Sequence, residues 1–256
     1  MKKIAVITGA SSGMGRDFVR LIDKHERFDE VWVIARRLDR LESLADECPF
    51  PVRPIALDLG DSASYEKYAR MLAEEELDVA LLVNCSGYGK FGRYDDISLE
   101  DKFGMIDLNC KALVAMTEIT LPYMHRGAHI IELDSLSSFQ PVPYIGVYGS
   151  TKAFVLSYSR SLDRELRDRG IRVCAVCPGW VRTEFFDRAK TKNEKAVTYY
   201  NKVWESEDVV RTALRDAYRG RDVSIHGFSV RAQVLATKLL PHSLVMKIWL
   251  KQQGHI

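Results

Sequence analysis

The chain predicts an α/β fold: one doubly wound parallel sheet of about seven strands, covered by helices on both faces, in a single domain. Short apolar runs alternate with amphipathic stretches along its length, a glycine-rich loop directly follows the first run, and each later run ends in polar or glycine-containing residues. Strands buried on both faces read as continuous apolar segments, and ligands of such sheets sit outside their carboxyl ends.

The strands are expected at residues 3–8, 30–35, 52–57, 78–84, 128–133, 171–177 and 222–226. Between them, Leu38-Leu41-Leu44-Ala45 and Ala153-Leu156-Leu162-Leu166 repeat at helical spacing. No repeat, low-complexity tract or Pro/Gly linker divides the chain, so residues 1–256 are expected to form one domain, with 228–252 as a C-terminal helical extension broken at Pro241. Its apolar positions are Val230, Val234, Leu235, Leu239, Leu240, Leu244, Val245, Ile248 and Trp249. They are expected to pack over the substrate side of a pocket or against a neighbouring subunit, while Arg231, Lys238, Lys247 and Lys251 admit a membrane-surface reading.

With 256 residues, 46% of them hydrophobic, the chain can bury a substantial core. The 37 basic and 35 acidic residues leave a net charge of only +2, which gives no reason to expect a nucleic-acid partner. Five cysteines, an odd number in mostly apolar surroundings, suit a reducing cytosol, and Cys174-Ala-Val-Cys177 lies in an apolar strand where core packing outweighs redox chemistry. His125 and His129 are interrupted by Gly127, so no metal site is expected. There is no apolar leader and no membrane-length apolar window; the expected location is cytoplasmic.

The first run, Lys3-Ile4-Ala5-Val6-Ile7, leads into Thr8-Gly9-Ala10-Ser11-Ser12-Gly13-Met14-Gly15. Strand, glycine turn and helix in that order present free amides to a pyrophosphate, with the Ser11 and Ser12 hydroxyls as further donors. After the second strand, where an acidic residue would bind the adenosine ribose of NAD, stand Arg36 and Arg37. Arginine there suits a 2′-phosphate, so NADP(H) is the expected cofactor over NAD(H). Further along, Tyr148-Gly-Ser-Thr-Lys152 places a phenol one helical turn from an ammonium. A cation about 4 to 6 Å away would favour phenolate and bring Tyr148 toward proton exchange near neutral pH.

Taken in order, these segments resemble the short-chain dehydrogenase/reductase family over roughly residues 3–185, which implies a Rossmann-type fold. Thr8 to Gly15 matches the family's cofactor loop and Asp58, in Leu57-Asp58-Leu59, its adenine contact. Asn84-Cys85-Ser86-Gly87 keeps the Asn and Gly of its Asn-Asn-Ala-Gly segment and departs at Cys85 and Ser86. Pro178-Gly179-Trp180-Val181-Arg182-Thr183 corresponds to the stretch that closes over the nicotinamide. The resemblance implies a catalytic set of Asn109, Ser135, Tyr148 and Lys152. In it Tyr148 donates the proton, Ser135 polarises the carbonyl, Lys152 lowers the tyrosine pKa and binds the nicotinamide ribose, and Asn109 positions Lys152 through a water. It also implies homodimers or homotetramers.

Aromatic and apolar residues after the strands, namely Tyr88, Phe91, Leu136, Phe139, Tyr144, Trp180, Phe185 and Phe186, are the expected substrate pocket, suited to a bulky, mostly apolar carbonyl compound or alcohol. Two rivals stand beside this reading: an extended relative acting on nucleotide sugars, which would carry a different glycine spacing, and a catalytically inactive dinucleotide-binding sensor, which would have lost part of the tetrad.

Overall fold

In the computed structural model, which describes residues 1–191 and 196–256, β1 (Lys2–Thr8) is an interior strand, third across a seven-stranded sheet. Its neighbours are β2 (Glu30–Ala35) on one side and β4 (Leu77–Asn84) on the other, both parallel. Beyond β2 lies β3 (Val52–Ala56); beyond β4 follow β5 (His129–Leu133), β6 (Arg172–Val176) and the short edge strand β9 (Val223–Ser224), giving the order β3-β2-β1-β4-β5-β6-β9. The chain thus winds outward from β1 to β3 and then returns to wind the other way. Where the direction reverses, between β1 and β4, the connections leave on opposite faces and open a crevice at the carboxyl ends.

Alternation along β1 divides the core. Ile4 and Val6 face one side with Trp32, Ile34, Leu82 and Ile130, beneath Tyr68 and Leu72 of α3 (Ala63–Ala73), Met116 of α5 (Ala112–Thr120) and Leu162 of α6 (Gly146–Glu165). Ala5 and Ile7 face the other with Val31, Val33, Leu81 and Val83, beneath Phe18 and Val19 of α1 (Gly13–Leu21), Leu41 of α2 (Leu38–Glu42) and Val210 and Leu214 of α8 (Ser206–Tyr218). Both faces are dry, so these strands carry no polar alternation.

Six of the expected strands fall within one or two residues of those observed. The seventh shrinks to two residues at the sheet edge. A second, two-stranded parallel sheet pairs β7 (Trp180–Arg182) with β8 (Val203–Glu205), Trp180 opposite Val203. β7 falls in the Pro-Gly segment, and its partner lies far along the chain with no local signal. Around them sit α4 (Leu99–Ile106), α7 (Phe185–Ala189), α9 (Phe228–Leu239) and α10 (His242–Gln252), the last two separated at Pro241 as expected. No described helix is long and apolar enough to cross a membrane.

Candidate active site

β1 delivers the glycine loop to the crevice. Gly9 takes a left-handed φ of 68°, and a Cβ there would stand 2.7 Å from the Cys85 carbonyl oxygen, so the turn requires glycine. A Cβ on Gly15 would run into the Gly9 carbonyl oxygen, which is how α1 packs so closely on its own strand. The resulting groove is lined by Gly9, Ser11, Ser12, Gly13, Met14, Gly15, Arg36, Arg37, Asp58, Leu59, Ser86, Gly87 and Thr183, with Leu108 and Arg188, which the sequence reading missed.

Two expected cofactor contacts are not on this wall. Thr8 is buried, and its hydroxyl oxygen accepts from the Cys85 and Ser86 amides at 3.0 and 3.1 Å, tying the β1 loop to the β4 loop. Asn84 is also buried, and its amide donates to Thr117 Oγ1 at 2.9 Å and Glu132 Oε1 at 3.2 Å. Both side chains hold the groove's framework together instead of facing into it.

At the far end of the groove Arg37 donates to Ser11 Oγ at 3.0 Å, Ser12 Oγ at 3.1 Å and Glu184 Oε2 at 3.1 Å, while Arg40 also pairs with Glu184. Arg36 extends outward, its side chain 63% exposed, with Asp58 Oδ2 at 3.8 Å. Arg188 completes a group of guanidiniums; burial and then the repulsion of Arg37 and Arg36 hold its pKa below the ordinary value. Guanidiniums gathered at one end of the groove offer charge-assisted donors to an anion, and the residues present fit a dinucleotide carrying a phosphate there.

The catalytic groups converge where this groove meets a second cavity. Ser135 follows β5, its Oγ accepting from the Ser137 amide at 3.1 Å and hydroxyl at 3.0 Å. Tyr148 and Lys152 lie one turn apart on α6, and Asn109 sits in a π-helical turn (Asp107–Lys111), its side chain buried behind Gly87. Asn109 grips Tyr88 from both sides, accepting from its amide at 3.0 Å and donating to its carbonyl at 2.9 Å, and it donates also to Thr151 Oγ1 at 3.0 Å. Its carboxamide and the Lys152 ammonium both border Gly87, where a Cβ would lie 2.9 Å from Asn109 Oδ1 and 3.8 Å from Lys152 Nζ.

The electrostatics differ from the expectation for Tyr148. Lys152 donates to the Leu133 carbonyl at 2.6 Å, with its nitrogen 5.8 Å from the centre of the tyrosine ring. Burial dominates the phenol and pushes its pKa up, opposed by the Ser135 hydroxyl. Burial likewise pushes the Lys152 ammonium down, opposed by Asp134. The phenol is thus held protonated, because the ammonium is turned toward the end of β5 and desolvation goes uncompensated.

Two buried acids lie behind the tetrad, Glu132 in β5 and Asp134 just after it, and nothing in the sequence marks that both carboxyls point inward. Burial pushes the Glu132 carboxyl up to about 8 and the Asp134 carboxyl up to about 7; Cys177 Sγ donates to Asp134 Oδ2 at 3.1 Å. Cys174 packs in the core as expected. From about pH 5 to 6 the unfolded chain has these acids ionised while the fold keeps both protons, so they make stability fall as pH rises, by roughly 1.4 kcal/mol per unit for each, and Glu132 continues the fall to about pH 7. Glu132→Gln retains the acceptor for Asn84 and Thr117 without the ionisation. Its stability relative to the parent, measured by urea unfolding, should therefore rise across this pH range; a constant difference would mean that Glu132 is already ionised in the fold.

The second cavity is walled by Tyr88, Phe91, Leu136, Trp180, Phe185 and Phe186, all expected, with Pro178, Gly179, Val181 and Thr183 at its junction with the groove. Phe139 and Tyr144 do not line it. Phe139 instead lies beneath Lys238, and Tyr144, at a left-handed φ of 68°, stacks on His255 at 3.9 Å. Trp249, expected over the substrate side of the pocket, lines the cavity, as do Val142, Ile145, Gln140 and Gln233, which the sequence reading missed. Trp249 comes from α10, its indole donating to the Pro143 carbonyl at 3.0 Å. Apart from Asp134, Tyr148 and Lys152 the described wall has as ionisable groups only the Tyr88 phenol, which burial pushes up, and the Cys85 thiol, which burial pushes up to about 12. Among the described residues no group of three or more His, Cys, Asp or Glu side chains could hold a metal ion.

The family model for short chain dehydrogenases matches residues 3–194. The NADP-dependent 3-hydroxy acid dehydrogenase YdfG of Salmonella typhi is 37% identical over 205 residues, covering 77% of this chain and 82% of that protein. Among solved structures, a short-chain dehydrogenase from Sphingobium yanoikuyae in complex with NADPH superposes with a TM-score of 0.80 at 28% identity, covering 95% of both chains. A short chain dehydrogenase/reductase from Burkholderia phymatum in complex with NAD shares the fold at a TM-score of 0.79 and 22% identity, covering 95% of this chain and 94% of that one. With a matching model over most of its length and the sheet order and crevice described above, the chain belongs to the short-chain dehydrogenase family and is an oxidoreductase of that family.

Proposed function

We propose that this oxidoreductase is NADP(H)-dependent and interconverts a bulky, neutral ketone or aldehyde and its alcohol, working chiefly as a carbonyl reductase. The observation that carries this reading is the continuity of two cavities, one ending in Arg36, Arg37 and Arg188 and the other walled by aromatic rings with Ser135, Tyr148 and Lys152, which share Met14, Cys85, Gly87, Leu133, Thr183 and Phe185. Nicotinamide bound at the junction would supply or accept the hydride. The protein's own part is proton management: Tyr148 donates its phenolic proton to the carbonyl oxygen, and Ser135 donates a hydrogen bond to the same oxygen as charge develops there. A phenol kept protonated by burial suits the reductive direction. Asn109, by gripping the Tyr88 backbone, keeps the wall of the junction in place.

Neutral substrate follows from the lining. The Salmonella relative is named for 3-hydroxy acids, but a carboxylate entering this cavity would lose its hydration and find no cation on the described wall other than Lys152, only neutral polar groups such as Ser137, Gln140, Thr183 and Gln233. All five cysteines are unpaired, which fits the reducing cytosol. The test is steady-state NADPH oxidation against a panel of aryl and polycyclic ketones and short 3-oxo acids. Turnover with the neutral ketones at kcat/KM at least about tenfold above the acids is expected; preference for the acids would overturn the substrate reading, and binding of NADPH without turnover on any carbonyl would favour the inactive sensor. Trp249→Ala should raise KM for the largest ketones several-fold with kcat less affected, since it removes wall and not proton donor; an unchanged KM would show that α10 does not shape the cavity.

A further inference from the structure

We propose that α9 and α10 form a docking face for an anionic lipid surface. The apolar residues of these helices divide between two sides. On α9, Val230, Val234 and Thr237 are buried against the body, whereas Phe228, Leu235 and Leu239, at spacings of seven and four that align them on one helical face, are 87%, 59% and 74% exposed. On α10, Val245 is buried, while Leu244 and Ile248, one turn apart, are exposed, as is Leu240 in the connection. Of the positions expected over the cavity or against a neighbouring subunit, Val230, Val234 and Val245 are buried on this chain and Trp249 lines the cavity, while Leu235, Leu239, Leu240, Leu244 and Ile248 stay exposed on it.

The charge pattern identifies the occupant. After Asp222 the chain has no further Asp or Glu, yet it carries Arg231 and Lys238 on α9 and Lys247 and Lys251 on α10, all exposed. In angular position Arg231 and Lys238 lie along one edge of the Phe228-Leu235-Leu239 stripe, and Lys247 and Lys251 along one edge of Leu244 and Ile248. Apolar stripes edged by cations, with no carboxylates, match the acyl boundary and phosphate headgroups of an anionic leaflet. A second copy of the same face would bring like charges together, so self-association is the less favoured occupant. The face also borders the chemistry, since Gln233 on α9 and Trp249 on α10 line the apolar cavity. An enzyme resting on lipid by these helices would hold that cavity beside the phase in which an apolar carbonyl compound concentrates.

The proposal is tested by sedimenting the full-length protein with phosphatidylcholine vesicles, with and without phosphatidylglycerol, at physiological salt. The protein should pellet with the anionic vesicles and remain in solution with the neutral ones. Each interfacial cation strengthens binding about fivefold, so Lys238→Gln with Lys247→Gln should weaken it about 25-fold. Leu235→Glu with Leu239→Glu should abolish pelleting while leaving NADPH binding and turnover of a water-soluble ketone unchanged, because neither residue touches a cavity. Equal behaviour with the two vesicle types, or undiminished pelleting of the Leu235/Leu239 variant, would overturn the proposal. So would a dimer, seen by analytical ultracentrifugation in the absence of lipid, that this variant dissolves.

Discussion

Tyr148→Phe is expected to lower kcat by about 10² or more while NADPH binding stays within a few-fold of the parent. The substitution keeps the ring and its contact with Phe185, whose centroid lies 5.4 Å away, and removes only the hydroxyl. Because burial holds that hydroxyl protonated, its loss removes the group that delivers a proton to the carbonyl oxygen as the hydride arrives. The other acid on this wall, Asp134, is buried with its carboxyl bound by the Cys177 thiol. Lys152 is committed to the Leu133 carbonyl, and the Ser135 hydroxyl is too weak an acid to serve alone. Steady-state rates with a neutral ketone, together with fluorescence titration of NADPH, separate the two effects; turnover within a few-fold of the parent would remove Tyr148 from the proton path.

Reversing charge at the phosphate end should change the cofactor. One charge-assisted contact contributes about 1.5 to 3 kcal/mol, so the unmodified protein is expected to bind NADPH roughly 10- to 150-fold more tightly than NADH. Arg36→Asp should collapse or invert that ratio, since a carboxylate repels the 2′-phosphate but accepts from free ribose hydroxyls. Arg36→Ala should be milder, because Arg37 is held in the same groove by Ser11, Ser12 and Glu184. Glu184 competes with any incoming phosphate for Arg37 and Arg40, so Glu184→Gln is expected to tighten NADPH binding several-fold without a matching gain for NADH. Isothermal titration of both cofactors against each variant checks these together. Wild-type binding of NADH at least as tight as NADPH would make Arg36 a solvated residue at the start of α2.

Much of this was legible before any coordinates. The sheet could be read because a parallel strand buried on both faces must be apolar throughout, and Lys3 to Ile7 or Asp78 to Val83 hardly admit another role. The glycine loop was legible because Gly9 and Gly15 answer steric demands that no other residue meets. Position along the chain could not tell which way a side chain points. Thr8 and Asn84 stand beside cofactor-facing neighbours yet turn into the framework, and Phe139 and Tyr144 follow the right strand but pack elsewhere. Nor could it pair distant residues: Arg37 meets Glu184 across 147 positions and Trp249 reaches Pro143 across 106. The Tyr148–Lys152 spacing was read correctly as a shared helical face, but the sign of the phenol's shift depends on where the ammonium is aimed and how dry the site is, which only the packed structure supplies.

The most direct test of hydride transfer between nicotinamide and a neutral carbonyl uses NADPH labelled with deuterium at nicotinamide C4, on each face in turn, with a bulky aryl ketone as acceptor. Mass spectrometry of the alcohol should find one deuterium on the carbinol carbon from one labelled face and none from the other. If neither label reaches any carbonyl offered while NADPH still binds, the protein is a dinucleotide-binding member of its family that does not perform this chemistry.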